Sequence, residues 1–380
     1  MELTEEQKII RKNIRKILAK ELDPVVVEYD EKGIFPRNIF QKLGALGFLG
    51  SFFPSQYGGG DTDLFTYSLI TEEICKVDAG FGMSCFASSV LFGRNILHQG
   101  NEEQKKKYLP PIIRGEKIGC WALTETQAGS DALAIQTTFA KNGDIYVING
   151  SKTFITNAPI ADYFIVLTRK KGTSGVNGGT AFILERGMEG LSTGKPFNKM
   201  GMRTSPTGEI FLENVKVLKN QILGEEDQGF YAMFKSLDIE RSLGICQPLG
   251  VAQACLEASL TYAKGRVQFG QPIASFQLIQ EKLAEMAMNI ELSRTYGYYV
   301  LKLAEKGNNI AKEAAILGCF TPMVTTKCAL EAVQIHGGYG YMKEYRVEKY
   351  LRDAKLFEIG GGTNEIMKLI VARQLLKESH

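Results

Sequence analysis

The sequence predicts an α+β fold in which a β domain lies between two helical domains. Three observations support this prediction. Apolar residues recur at helical spacing in the first third of the chain, short β-rich segments punctuated by Gly and Thr follow, and helical spacing then returns to the end. The predicted domains are 1–117, 118–228 and 229–380. The last domain contains four long amphipathic segments and is expected to form a four-helix bundle.

The N-terminal domain has clear helix boundaries. Thr4, followed by two glutamates, is a typical N-cap residue before an apolar run at helical spacing. A long, mostly apolar stretch then extends over 64–97 and is interrupted at Asp78-Ala79-Gly80. This interruption predicts two helices that are buried on much of their surface.

The middle and C-terminal domains are predicted from turns and periodicity. Asn142-Gly143 lies between two alternating segments and is a typical hairpin turn. Further short strands are expected at 154–156, 163–168, 180–184 and 209–212. The four C-terminal helices are expected at about 229–264, 275–306, 309–335 and 364–377.

Composition excludes several classes of function. Among 380 residues, 45 are basic and 42 are acidic, so the net charge of +3 gives no electrostatic basis for nucleic-acid binding. Three histidines at no ligand spacing predict no metal site. Seven scattered cysteines without a Cys-x-x-Cys pair predict free thiols in a reducing compartment.

The N-terminal residues also bear on location. The acidic start leads directly into a helix, and the sequence is therefore expected to have no signal peptide. No apolar run approaches the roughly 20 residues of a membrane span. A cytoplasmic location is expected, with a mature mitochondrial form as the alternative.

Two polar, glycine-containing segments are candidates for ligand contact. The first, 122–131, is a predicted strand that leads into a turn rich in hydroxyl and backbone N–H groups. The second, 334–341, has glycines that allow the backbone to approach a ligand. Each has an ordinary alternative, since the first suits a simple turn and His336 suits a packed core. The second segment follows a helix, which distinguishes it from a Rossmann motif.

Together these segments resemble, in order and separation, both sequence signatures of the acyl-CoA dehydrogenase family. Residues 152–157 resemble the flavin-facing strand of that family, and 266–270 resemble its Arg-x-x-Phe-Gly cofactor motif. The resemblance covers essentially the whole chain. It implies an FAD flavoprotein that acts on acyl-CoA, passes electrons to an electron-transfer flavoprotein and assembles as a homotetramer.

The resemblance also implies which residues contact the flavin end of the cofactor. Thr124 and Thr156 would hydrogen-bond the flavin ring, and Phe154 would pack against it. Ser130 would contact the flavin or the CoA chain. Leu123 belongs to the same cofactor-binding segment.

The remaining cofactor contacts are expected at the C-terminal domain. The resemblance implies that Arg266 and Gln334 hold the FAD diphosphate, with Arg266 reaching in from a neighbouring subunit. The other positions that would line the cofactor are Phe269, Gln277, Gly337, Gly338, Thr363 and Glu365.

The implied reaction is α,β-dehydrogenation of an acyl-CoA thioester. A base removes the α-proton while the β-hydrogen leaves as hydride to the flavin, and a backbone N–H at the position of Gly361 helps to bind the thioester oxygen. Many family members carry the base in a Tyr-Glu-Gly-Thr segment. Here Gly360 and Gly361 replace the Tyr and the Glu. Either the chain is inactive or another residue supplies the base.

Glu240 is the candidate for that base. It lies beside an apolar helical stripe that begins at Phe230 and includes Met233, Phe234 and Leu237. Arg241 is expected near the centre of the stripe and Glu240 at its edge. Apolar surroundings would raise the pKa of Glu240, and Arg241 would oppose that shift. The alternative is a structural Glu–Arg pair.

The resemblance favours the catalytic interpretation. The isovaleryl-CoA and long-chain subgroups place their carboxylate on this helix, immediately before an Arg, as Glu240 and Arg241 stand here. Asp238 matches an acidic position that would hold the pantetheine arm. The predicted catalytic residues are Glu240, Gly361 and Arg241.

The two glycines also bear on the substrate. Two missing side chains at Gly360 and Gly361 suit a branched or alicyclic acyl group of short to medium length, unless they only permit an unusual turn. A charged acyl tail such as glutaryl finds no obvious counter-ion in the helix around 83–97, with Arg94 as the exception. The predicted substrate contacts are Ser130, Asp238, Arg241, Gly360, Gly361 and Phe86.

Two competing hypotheses to the forward reaction stay open. An enoyl-CoA reductase would use the same residues in reverse. A non-catalytic, DNA-binding relative of the family would be expected to carry a basic C-terminal extension, which this sequence does not show.

Overall fold

The computed structural model describes residues 3–378 and confirms the α-β-α order. The N-terminal helices are α1 (Glu5–Glu21), α2 (Val26–Lys32), α3 (Arg37–Ala45), α4 (Leu64–Val77), α5 (Ala79–Phe86), α6 (Asn95–Gln99) and α7 (Glu102–Ile113). A π-helix, Ala87–Arg94, joins α5 to α6. As predicted, Thr4 caps α1, since its Oγ1 accepts a hydrogen bond from the Gln7 amide at 3.2 Å. Asp78 separates α4 from α5 and caps α5 through the Gly80 amide.

The central domain is built on one eight-stranded sheet. Its strands are β1 (Gly119–Ala122), β2 (Thr138–Asn142), β3 (Ile145–Thr156), β4 (Tyr163–Lys170), β5 (Gly179–Glu185), β6 (Leu191–Thr193), β7 (Thr207–Leu218) and β8 (Ile222–Leu223). Their order is β6-β7-β3-β2-β4-β5-β8, with β1 parallel to β4. The predicted hairpin joins β2 to β3, but Asn142 still pairs with Ile145, so the turn is one residue later, at Gly143 and Asp144.

The C-terminal domain contains the four predicted helical segments and one more. The first segment is α8 (Gly229–Gly244) and α9 (Cys246–Gly265), and the others are α10 (Gln277–Glu305), α11 (Ala311–His336) and α13 (Asn364–Glu378). A short hairpin of β9 (Val267–Gln268) and β10 (Gln271–Pro272) follows α9, and α12 (Val347–Phe357) is the unpredicted helix. Helix α9 packs so closely on α4 that a Cβ at Gly250 would lie 2.4 Å from the Glu72 carbonyl oxygen.

Helix α11 corrects one expectation from the sequence. Within residues 3–378, the stretch Ala311–Tyr341 is long and apolar enough to cross a membrane, by length and composition. Half of its most apolar window is buried inside the protein, and α11 packs against α9, α10 and α13 as the central helix of the bundle. Charged residues such as Lys327 and Glu331 interrupt this apolar run, so the sequence did not predict a segment of membrane-spanning length. All seven cysteines are buried and free.

Candidate active site

Helix α8 buries Glu240 in the interior of the protein. The side chain is 3% exposed, and it shares the buried face of α8 with Gly229, Met233, Ser236 and Leu243. The prediction that Arg241 lies near the centre of the stripe and Glu240 at its edge is therefore wrong. The buried face of α8 is the face that carries Gly229. A Cβ at Gly229 would lie 2.9 Å from Leu167 of β4 and 3.0 Å from the Ala181 amide of β5. Phe234, which belongs to the predicted stripe, is exposed.

The two carboxylate oxygens of Glu240 have different surroundings. Oε1 accepts a hydrogen bond from Asn95 Nδ2 at 2.6 Å. Gln99 Nε2 donates to Asn95 Oδ1 at 2.6 Å, which fixes the amide so that Asn95 offers only N–H groups to Glu240. Oε2 is buried and has no hydrogen-bond partner within residues 3–378. A buried carboxylate oxygen without a partner is costly, so Oε2 is suited to receive a proton or a ligand.

The electrostatic environment makes Glu240 a suitable general base. Burial raises the pKa of Glu240 from its ordinary value of 4.5 to about 7. The Asn95 hydrogen bond, the nearby Ser236 hydroxyl, which donates to the Met233 carbonyl oxygen, and the charges of Arg94 and Arg241 oppose the shift and do not cancel it. The raised pKa agrees with the expectation from the sequence. A pKa near neutrality gives a base that is partly ionised and still basic enough to take a carbon-bound proton.

Arg241 connects α8 to the glycine-rich loop between α12 and α13. Its Nη1 lies 3.3 Å from Asp238 Oδ1, and its Nε donates to the Gly361 carbonyl oxygen at 3.4 Å. Burial raises the pKa of Asp238 and lowers that of Arg241. The structure thus brings together four of the predicted catalytic and substrate-binding residues, namely Asp238, Glu240, Arg241 and Gly361.

The glycine loop contains open space as well as an unusual turn. Gly361 and Gly362 have φ angles of +72° and +114°, which L residues rarely adopt. At Gly362 a Cβ would lie 2.4 Å from Met367 Cε, the end of a flexible side chain that would have to shift. A Cβ at Gly361 would meet nothing within 4 Å, and one at Gly360 would make only ordinary contacts with Leu356. The positive φ angles therefore account for Gly361 and Gly362, but the turn does not account for Gly360 or for the open space beside Gly360 and Gly361.

The predicted flavin-facing strand carries a β-bulge. The pairing of β3 with β7 shifts register between Lys152 and Ile155, and Phe154 has a φ of +57°. Phe154 is 68% exposed, and its ring centroid lies 5.5 Å from that of Phe197. An exposed aromatic ring on strained backbone is typical of a ligand-binding surface.

The Thr124 and Thr156 segments lie side by side. The Thr153 amide donates to the Thr124 carbonyl oxygen at 2.9 Å, and Thr156 lies three residues further along β3. Leu123 and Thr124 are half-buried, whereas Ser130 is exposed. Both threonine hydroxyls therefore belong to one edge of the β domain, where the resemblance places the flavin ring.

A buried ion pair beneath these segments was not predicted from the sequence. Lys152 Nζ lies 2.8 Å from Glu125 Oε1 and donates to the Leu123 carbonyl oxygen at 2.9 Å. Glu125 also accepts from the amides of Gln136 and Thr137 at 2.6 and 3.0 Å. Burial lowers the pKa of Lys152 to about 8. The available signal was a charged residue, Lys152 or Glu125, inside each of two predicted cofactor-binding motifs.

Three of the predicted cofactor contacts, Arg266, Gly337 and Gly338, line a separate cavity of about 530 Å³. Arg266 lies over the Tyr339 ring at 5.6 Å, and Gln334 is exposed nearby on α11. Cβ atoms at Gly337 and Gly338 would meet nothing within 4 Å, so these glycines leave room for a ligand rather than for a neighbouring side chain. A positive side chain with open glycine backbone suits the diphosphate of FAD.

His336 is a packed core residue, as the ordinary interpretation of its motif predicted. Its ring is buried, Nδ1 lies 2.8 Å from the Ala332 carbonyl oxygen, and the ring stacks on Tyr262 with centroids 4.2 Å apart. Burial lowers the pKa of His336. The histidine therefore supports the cavity wall in its neutral form.

Other predicted contacts lie at the edges of the domain. Phe269 forms the tip of the β9–β10 hairpin and is 93% exposed, which is typical of a surface covered by another subunit. Gln277 is exposed at the start of α10, and Thr363 caps α13 by accepting from the Ile366 amide at 3.3 Å. Glu365 is exposed in the first turn of α13.

Phe86 differs from the other predicted contacts because it is buried. It is 4% exposed and packs in a small apolar cluster with Tyr67, Val90, Leu243 and Leu301. Its contact with an acyl group stays a prediction. Within residues 3–378, no group of three or more His, Cys, Asp or Glu side chains is arranged to hold a metal ion.

Family models match all three domains. The N-terminal, middle and C-terminal domain models of acyl-CoA dehydrogenase match residues 4–116, 120–215 and 227–376. The chain belongs to the acyl-CoA dehydrogenase family. Members of this family are FAD flavoproteins and oxidoreductases that act on CH–CH groups. The hydroxyl edge at Thr124 and Thr156 and the open cavity at Arg266 fit this cofactor.

Several relatives are similar over nearly their full length. The probable acyl-CoA dehydrogenase YngJ of Bacillus subtilis is 45% identical, with 99% of each chain covered. Mitochondrial isovaleryl-CoA dehydrogenase of Pongo abelii is 39% identical, with 100% of this chain and 90% of that chain covered. The caffeyl-CoA reductase–Etf complex subunit CarC of Acetobacterium woodii is 40% identical, with 100% of each covered.

A solved structure has the same fold. Butyryl-CoA dehydrogenase from Megasphaera elsdenii superposes with a TM-score of 0.96 at 41% identity, with 99% of each chain covered.

Proposed function

We propose that this chain is an acyl-CoA dehydrogenase in which Glu240 removes the α-proton of an acyl-CoA thioester. One observation carries the proposal. The Oε2 atom of Glu240 on α8 is buried without a hydrogen-bond partner within residues 3–378. Arg241 of the same helix donates to the carbonyl oxygen of Gly361, the position at which other family members carry their carboxylate. The chain thus supplies a carboxylate from α8 while the opposing loop supplies none.

The contacts of Glu240 define how its proton transfer would proceed. Asn95 holds Oε1 as a hydrogen-bond donor and cannot accept a proton there. The α-proton therefore moves to Oε2. FAD, when bound, would supply the acceptor for the β-hydrogen, which would leave as hydride. Arg241 orients the loop through the Gly361 carbonyl oxygen, which keeps the Gly361 amide available for the thioester oxygen.

The substrate, the partners and the location form the finer part of the proposal. Open space at Gly360 and Gly361 supports a branched or alicyclic acyl group of short to medium length. An electron-transfer flavoprotein is the proposed acceptor, since one relative is named as a subunit of an Etf complex. The homotetramer is supported by the exposed Phe269 hairpin beside Arg266, and tetramers are typical of the family. A cytoplasmic location stays a prediction.

The reverse reaction is the second candidate. With a pKa near 7, Glu240 is partly protonated near neutrality and can also donate a proton to an enoyl-CoA. One relative at 40% identity is named a reductase, and this name supports the reverse reaction. Rates measured in both directions with defined electron donors and acceptors distinguish the two. No observation favours a DNA-binding function, since the net charge is only +3.

The proposal is tested by anaerobic flavin reduction with straight, branched and cyclic acyl-CoA thioesters. The wild-type protein is expected to bleach its flavin with at least one branched or cyclic thioester. Glu240→Gln should lower that rate by about 10³-fold, within the range for removal of a general base, and should retain FAD. Glu240→Asp serves as the matched control and should keep part of the rate. Wild-type bleaching by Glu240→Gln would rule out the assignment.

A further inference from the structure

Arg94 is a buried cation for which the fold provides no hydrogen-bond acceptor. It is the last residue of the π-helix and is 6% exposed. Within residues 3–378 its guanidinium group donates no hydrogen bond. Its charged neighbour is Glu240, and the next residue, Asn95, donates directly to Glu240. The guanidinium group therefore lies in the same buried region as the proposed base.

Arg169 is a structural arginine with the same exposed fraction as Arg94, 6%, and provides a comparison. Its guanidinium donates to the carbonyl oxygens of Ile135, Asn177 and Leu133 and lies over the Phe230 ring at 4.9 Å. Burial without such partners is costly for a group with five N–H donors. Arg94 consequently lacks the features of a structural arginine.

Glu240 does not serve as a permanent partner for Arg94. Its Oε1 is bound by Asn95, and its Oε2 has no hydrogen bond within residues 3–378. In the proposed reaction Oε2 receives the α-proton, which makes Glu240 neutral. Arg94 would then be a buried cation without any compensating charge. A second anion, supplied by the ligand, would balance Arg94 throughout the reaction.

We propose that Arg94 binds a carboxylate on the acyl group, close to its α- and β-carbons. This inference rests on the proposed function, because the position of the carboxylate is set by the nearness of Arg94 to Glu240. The open space at Gly360 and Gly361 suits a branch. The substrate class is therefore a short branched or ring-bearing acyl-CoA with a carboxylate on the branch or ring.

A carboxylate in this position would also assist the base. It would pair with Arg94 and so weaken the field that now stabilises the Glu240 carboxylate. A second negative charge nearby disfavours ionisation of Glu240 and makes its carboxylate more basic. Substrate binding and proton abstraction would thus be coupled through Arg94.

Two thioesters of nearly equal size provide the probe. One is isovaleryl-CoA, and the other has a carboxylate in place of one terminal methyl group of isovaleryl-CoA. Binding is measured by calorimetry on FAD-loaded protein in the Glu240→Gln background, where the proposed reaction is blocked. The carboxylated thioester is expected to bind roughly ten- to hundredfold more tightly, as for a charge-assisted hydrogen-bonded pair.

Arg94→Met in the same background should remove or reverse this preference, and Arg94→Lys should keep part of it. Thermal unfolding provides the folding control, and Arg94→Met should be at least as stable as its parent because no hydrogen bond is lost. An unchanged preference in Arg94→Met, or no preference in the parent, would overturn the inference. Flavin bleaching by the Glu240→Gln protein would instead indicate failure of the Glu240 assignment.

Discussion

Two buried charged centres of this protein are built in opposite ways. In the β domain, Lys152 and Glu125 form the β3 pair, whose carboxylate accepts from the lysine and from two backbone amides. In the α8 centre, defined as Glu240, Asn95 and Arg94, the Glu240 Oε2 atom has no hydrogen-bond partner within residues 3–378. The Arg94 guanidinium group donates no hydrogen bond within the same residues, and its charged neighbour is Glu240. The β3 pair has the features of a structural centre, and the α8 centre has those of a centre completed by a ligand.

The largest effect on stability is expected at the β3 pair. Lys152→Met leaves Glu125 as a buried, partly unpaired carboxylate, which should cost about 3–5 kcal/mol of unfolding free energy. Urea unfolding of the wild type and the variant measures this loss. Replacing both residues, as Lys152→Met with Glu125→Leu, should recover only part of it, because the Gln136 and Thr137 amides lose their acceptor. A loss below about 1 kcal/mol for Lys152→Met would show that the β3 pair is not a structural centre.

The pH dependence of stability should reveal the opposite behaviour at the α8 centre. Glu240 has a folded-state pKa of about 7 against an ordinary 4.5, so the folded state binds more protons between these values. The contribution of Glu240 to stability should therefore fall by about 3 kcal/mol as pH rises from 4.5 to 7. Urea unfolding at pH 5 and pH 8 measures the change. Glu240→Gln should lack this component, and equal pH dependence in both proteins would contradict the raised pKa.

Asn95 should have a smaller effect on the same centre. Its hydrogen bond to Oε1 favours the ionised form of Glu240. Asn95→Ala should therefore raise the apparent pKa of the flavin-reduction rate, by about one unit or 1.4 kcal/mol. Stopped-flow flavin reduction between pH 5 and 9 records the shift. Gln99→Ala is the matched control and should shift the profile less, since Asn95 keeps its place. An unmoved profile in Asn95→Ala would separate Asn95 from the base.

The smallest effect is expected at the loop facing Arg241. Gly361→Ala should cost about 1 kcal/mol, because φ is positive and no atom obstructs the new methyl group. Gly362→Ala should cost more, since a φ of +114° is less accessible to alanine than +72° and the Met367 Cε atom must shift to admit the new methyl group. Thermal unfolding compares the two variants. Equal losses would mean that the space beside Gly361 is not open in solution.

Local signals made most of the fold predictable. The Thr4 cap, the break at Asp78 and the hairpin after Asn142 depend on residues close in sequence, and the structure contains all three. The short helix α12 was not predicted, because it spans only 11 residues between two glycine-rich segments. The acyl-CoA dehydrogenase motifs added the family and its cofactor.

The contacts of the candidate site were less predictable because they join distant parts of the chain. Asn95 and Glu240 are 145 residues apart, and Lys152 and Glu125 are 27 apart. Sequence periodicity also misplaced the buried face of α8, since that face is set by the packing of Gly229 on β4 and β5. Only the tertiary structure shows which polar atoms have partners and which do not.

The central claim is that Glu240 exchanges a proton with the α-carbon of the bound thioester. Its most direct test is the rate at which the α-hydrogen of a bound acyl-CoA exchanges with D₂O, followed by mass spectrometry in the FAD-loaded wild type and Glu240→Gln. The account predicts exchange in the wild type that rises with pH through about 7, and a loss of about 10³-fold in Glu240→Gln. Exchange in Glu240→Gln at the wild-type rate would contradict it.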